Sequence, residues 1–217
     1  MIESKPRPVK PVLRGVSHEI AAWVAAPASL ALFVAAKSSS ARWGAATYGL
    51  SLFTLFLVSA IFHRPTWSPR VRLWIGRLDN SAIFLLIAGT YTPICLFLGG
   101  GDGQALLAVA WIGAVLGIVL TFVWPLAPKP LMAVIYVLLG WVFVPAAAGL
   151  RLAMGGRAVL LLFAGGMVYT AGAVIYALRR PDPFPRVFGY HEIFHLLVIG
   201  GAVCHFFVVR AAVLGLG

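Results

Sequence analysis

Seven apolar runs succeed one another along the chain, each nearly free of charge. About 20 such residues cross the hydrocarbon of a bilayer as an α-helix. The pattern predicts spans at Glu19–Ala36 (interrupted by Pro27), Trp43–His63, Asp79–Leu98, Gln104–Trp124, Leu131–Leu150, Ala158–Leu178 and Tyr190–Leu214. The runs are too long for barrel strands and lack the alternation that a barrel shows. Connectors at Lys37–Ser40, Gly99–Gly103, Pro125–Pro130 and Arg179–Arg186 are short and rich in turn residues. Pro93 and Pro145 predict kinks in their helices. The expected fold is an all-α integral membrane protein, a seven-transmembrane helix bundle. Residues 1–15 form a basic tail expected to be disordered, and residues 16–217 form one transmembrane domain. The tail lacks the apolar segment of a removable signal peptide.

Composition strengthens this picture. The chain of 217 residues is 61% hydrophobic and 11% charged, more apolar surface than a soluble core of this size buries. The net charge of +11 would suit nucleic acid, but its distribution suits a membrane topology instead. With the N-terminus cytoplasmic, one side of the membrane holds Lys5, Arg7, Lys10, Arg14, Arg64, Arg70, Arg72, Arg77, Lys129, Arg179, Arg180 and Arg186. The other side holds only Lys37, Arg42, Arg151, Arg157 and Arg210. Cytoplasmic loops collect Lys and Arg, so the N-terminus is expected inside and the C-terminus outside. The expected partners are membrane lipids, with anionic headgroups beside the basic loops, and no nucleic acid. The expected location is a bacterial inner membrane.

Smaller features fit a bundle. Cys95 and Cys204 lie within spans and read as small core residues rather than a disulfide. Trp43, Trp67, Trp74 and Trp124 fall near span ends, where indoles anchor at the interface. Gly113 and Gly117 make a G-x-x-x-G face, suited to close packing on another helix or to a homo-oligomer.

The seventh span opens with His191-Glu192-Ile193-Phe194-His195, the H-E-x-x-H spelling of zinc proteases. Histidines four apart share one helix face and reach one metal. A membrane protease would need a further carboxylate ligand in an Asn-Pro-Asp-like segment. The nearest Asp-Pro, Asp182-Pro183, sits in a hydrophilic connector without one. Instead, the alternating topology brings His63, Asp79, His191 and His195 to one depth, with Ser59 a turn below His63 on the same face. Ionisable groups inside a membrane are costly and face the bundle interior. Three imidazoles suit zinc with a fourth position left open. Asp79 would then accept or orient a proton, and Ser59 would hold a water or a developing oxyanion. Iron held by two histidines and Asp79 is the other metal the pattern allows.

Each residue also has a plainer role. His63 ends a helix before Arg64-Pro65, and Ser59 bonds to its own backbone. Asp79 starts a helix, favoured by the dipole or by Arg77. Glu19 would support a metal-bound imidazole or cap the first span beside His18. Glu192 lies ~100° around the helix from His191, toward a neighbouring helix or the headgroups, and is a weak general-base candidate. His205, ~15 Å deeper than His195, would hydrogen-bond within the bundle.

The segments SAIFH (59–63), RLDNSAIFLLIAGTYTP (77–93) and HEIFHLLVIGGAVCHFF (191–207) resemble the signatures of the hemolysin III family. These are bacterial relatives of the progestin and adipoQ receptors, in a wider superfamily with alkaline ceramidases. The resemblance covers the chain from about Glu19 onward and implies seven spans with the N-terminus inside. It implies zinc on His63, His191 and His195, with Asp79 and Ser59 holding water at the metal. Asn80 stands where many bacterial members have His, and Trp23–Pro27 is alanine-rich where many carry Asn and a Thr-His pair. The activity it implies is a ceramidase-like, zinc-dependent hydrolysis of a lipid amide or ester. The alternatives are a zinc-stabilised, non-catalytic sensor of membrane lipid state and a membrane-lytic protein.

Overall fold

A computed structural model of the chain describes residues 10–216. The helices are α1 (Val16–Ala35), α2 (Ser39–His63), α3 (Pro69–Leu98), α4 (Gly100–Val123), α5 (Lys129–Gly140), α6 (Ala147–Met154), α7 (Gly156–Leu178) and α8 (Tyr190–Gly215). A 3₁₀ turn at Val144–Ala146 joins α5 to α6, and the three together form one span, Lys129–Met154. Among the described residues seven segments are long and apolar enough to cross a membrane, as the apolar runs predict.

Consecutive helices pack as neighbours, α1 on α2, α2 on α3, α3 on α4 and α7 on α8. The last helix also touches α1, α2 and α3, which closes the bundle. Large apolar side chains point outward all around it. Trp23 is 77% exposed, Leu116 64% and Leu152 90%, a surface that only a lipid solvent tolerates.

The helix ends differ from expectation in informative ways. Pro27 leaves α1 continuous from Val16 to Ala35. At Pro145 the fifth span does break, and the freed backbone groups are re-satisfied by one side chain. The Tyr91 hydroxyl donates to Gly140 O at 2.7 Å and accepts from Phe143 N–H at 3.1 Å. Broken helices persist at membrane depth only where such partners exist. Helix α3 starts at Pro69, ten residues before Asp79, so Asp79 is not a helix-start residue favoured by the dipole. Its first turns look like a connector because they carry Arg70, Arg72 and Arg77. Arg72 lies 4.8 Å over the Phe62 ring and Arg77 4.5 Å over Trp74, which lets the chain stay helical in a charged zone.

Of the expected disordered tail, residues 1–9 lie outside the described residues. Residues 10–15 are docked. Val12 and Leu13 N–H donate to the carbonyls of Arg186 and Val187, and Lys10 Nζ donates to Arg64 O at 2.6 Å.

The glycine face of α4 is occupied within the chain. A Cβ on Gly117 would lie 2.2 Å from the Phe84 ring, and one on Gly113 2.5 Å from Leu139. The G-x-x-x-G face therefore serves packing on α3 and α5 rather than a second copy. Gly117→Ala is expected to overpack this contact by about 1–3 kcal/mol. That lowers the thermal midpoint in detergent by several degrees, at roughly 2–4 °C per kcal/mol. Gly101→Ala, with open space around it, leaves the midpoint in place.

Candidate metal centre

Three helix ends meet at one end of the bundle: the start of α1, the end of α2 and the start of α8. Glu19 pairs with Arg64 at 2.8 Å, and Arg14 pairs with Glu192. Asp79, in the third turn of α3, reaches the same level, its Oδ2 3.8 Å from His63 Nε2.

Within this end the histidines converge. His63, His191 and His195 are buried and offer ligand nitrogens that all lie within 4.8 Å of one another. His63 Nε2 and His191 Nε2 are 3.1 Å apart. Tetrahedral zinc with Zn–N bonds of about 2.0–2.1 Å would set its donors ~3.3 Å apart, so the spacing suits that ion. His195 Nδ1 is buried and has no hydrogen-bond partner. A buried ring nitrogen without a partner is costly, and a cation held among the three rings would offset that cost. The donor set therefore fits a soft-to-borderline divalent cation. Asp79 stands outside the three-histidine group, which leaves the iron arrangement with Asp79 as ligand without support from this geometry.

The neighbours include one that sequence reasoning missed. His18 on α1 is buried, with Nδ1 2.8 Å from Ser59 Oγ and Nε2 3.3 Å from His195 O. Its ring stacks on that of His195, with centroids 3.8 Å apart and planes 7° apart. Glu19, the expected support for an imidazole, points away. It is nearly half exposed and serves as the partner of Arg64. The only signal that could have favoured His18 is its place one residue earlier, ~100° around the helix.

Glu192 is likewise taken. It is 3% exposed, bonded to Arg14, and accepts Gly189 N–H at 2.8 Å as the return half of a cap on α8. That employment argues against the weak general-base role. His205 meets expectation, its Nε2 3.2 Å from Leu162 O. Asn80 contributes its backbone carbonyl, which accepts from Tyr136 OH at 3.2 Å.

A cavity of about 260 Å³ opens from the cluster into the bundle. Its polar end holds His18, Ser59, His63, Asp79, His191 and His195. Leu55, Ile83, Ile87, Ile94 and Val198 line the rest, and His205 lies at the deep end. A mostly apolar chamber with a few convergent polar groups is the usual form of a small-molecule site.

Fold and site together define a class: a seven-helix membrane protein with a buried three-histidine cluster at one end of an apolar cavity. A family model described as "Haemolysin-III related" matches residues 7–206, and the chain belongs to that family. It is 35% identical to Hemolysin-3 of Bacillus cereus over 207 residues, 94% of this chain and 91% of that one. It is 31% identical to the Hemolysin-3 homolog of Bacillus subtilis (strain 168), covering 91% of this chain and 92% of that one. The Heptahelical transmembrane protein ADIPOR2 of Oryza sativa subsp. japonica is 31% identical over 188 residues, 77% of this chain and 81% of that one. The relation to the wider adipoQ receptor superfamily is thus visible in the sequence. The protein is a multi-pass protein of the bacterial inner membrane.

Removing one partner of the Arg14–Glu192 pair strands a buried charge or an empty cap. Glu192→Ala is expected to cost about 3–5 kcal/mol. In a double-mutant cycle on thermal stability, Arg14→Ala adds much less once Glu192 is gone.

Proposed function

We propose that this protein is a zinc-dependent membrane hydrolase acting on a lipid amide or ester. Its site would lie at the end of the bundle that the Lys and Arg distribution assigns to the cytoplasm. The observation that carries this reading is the sharing of one cavity by three clustered imidazoles, a carboxylate and a long apolar wall. His63, His191 and His195 would hold the ion. Zinc, when bound, supplies a Lewis acid for a carbonyl and makes hydroxide available near neutral pH.

The chain's own residues do the rest. Asp79, 3.8 Å from His63 and beside the cluster, takes the proton that the attacking water gives up. Ser59 fixes the reacting group by a hydrogen bond within the same cavity. The apolar lining takes the acyl chain, excludes bulk water and sets the carbonyl near the histidines. The pairing of polar end and apolar wall is what a lipid carboxyl derivative needs, and it suits a free peptide poorly.

A zinc clamp without turnover is the second reading, favoured by the cluster's bridging of α2 and α8. Elemental analysis of purified protein tests the metal. Wild type is expected to hold about one zinc per chain, and His63→Ala to hold little. Equal zinc in both removes His63 from the ligand set. Turnover of a panel of lipid amides and esters tests the chemistry. Asp79→Ala is expected to keep its zinc and lose about 10²–10⁴-fold in rate. A zinc-loaded wild type that converts no lipid of the panel supports the clamp instead.

A further inference from the structure

Of the two histidines that the proposed mechanism does not use, His18 is the more tightly built in. His18 is 3% exposed, and each of its ring nitrogens is engaged. Its Nε2 faces the backbone carbonyl of His195, which can only accept, so Nε2 carries the proton. Its Nδ1 meets Ser59 Oγ at 2.8 Å.

The consequence concerns His195. Metal-binding histidines are usually oriented by a hydrogen bond at their other ring nitrogen. Neither ring nitrogen of His195 has a hydrogen-bond partner among the described residues. What fixes the His195 ring is the parallel face of His18, 3.8 Å away.

We propose that His18 is a positioning residue of the centre: tied to the His195 carbonyl and to Ser59 by its two ring nitrogens, it holds the His195 ring by stacking. This rests on the zinc reading above for its effect on metal affinity, but not for the contacts themselves.

Two measurements on the full chain in detergent test it. The first is zinc affinity by chelator competition. His18→Ala removes the stacking ring together with both hydrogen bonds, and His18→Phe keeps a ring. His18→Ala is expected to weaken zinc binding about 10–100-fold, with partial recovery in His18→Phe. Wild-type affinity in His18→Ala, or a His18→Phe no better than His18→Ala, overturns the positioning role. The second is ¹⁵N NMR of histidine-labelled protein. It should show a protonated Nε2 on His18 and an Nδ1 resonance that moves in Ser59→Ala. An unprotonated Nε2, or an Nδ1 resonance indifferent to Ser59→Ala, overturns the assignment. Should the wild type bind no zinc, the hydrolase reading fails on its own, and the NMR result still decides the role of His18.

Discussion

A polar group inside a bilayer has no water to fall back on, and this constraint organises the site end of the bundle. Three imidazoles, a serine hydroxyl, a carboxylate and a fourth imidazole are gathered where α1, α2, α3 and α8 converge. Each must be satisfied by the others, by backbone or by a bound cation. His18 is satisfied fully, Glu192 by Arg14 and its own cap, and His195 incompletely. The unsatisfied remainder is what makes the cluster look like a receptacle for a metal rather than a polar core.

Around that centre the structure spends its charges on holding helix ends together. Arg14–Glu192 ties the start of α1 to the cap of α8, and Arg64–Glu19 ties α1 to the end of α2. Lys10 closes over the α2 terminus, and Val12 and Leu13 pair with the segment leading into α8. The basic residues of this end are thus partly structural, beyond any attraction to headgroups.

What could be read from the chain depended on which physical signal each residue carries. The spans were legible because apolar length is a strong, local property. The convergence of His63 with His191 and His195 was legible because alternating topology sets depth, and i, i+4 spacing sets the face. Rotation of a helix about its axis is not local, which is why Glu19 stood as a candidate support for an imidazole and the neighbouring His18 did not. The start of α3 was hidden because Arg70, Arg72 and Arg77 look like a loop until Phe62 and Trp74 are seen beneath the latter two. Gly113 and Gly117 announced a close contact but not its partner, since a glycine face reads the same for Phe84 and Leu139 as for a second copy.

The break in the fifth span has a wider meaning. Tyr91, Gly140, Trp141 and Phe143 all line the cavity, so part of its wall is backbone held out of helix by one phenol. The histidines come from α2 and α8, while this section comes from α3 and the α5–α6 junction. The clustered histidines and this section of wall are thereby written in separate stretches of sequence. Drift at the junction can reshape its part of the cavity while the three-histidine cluster is left untouched.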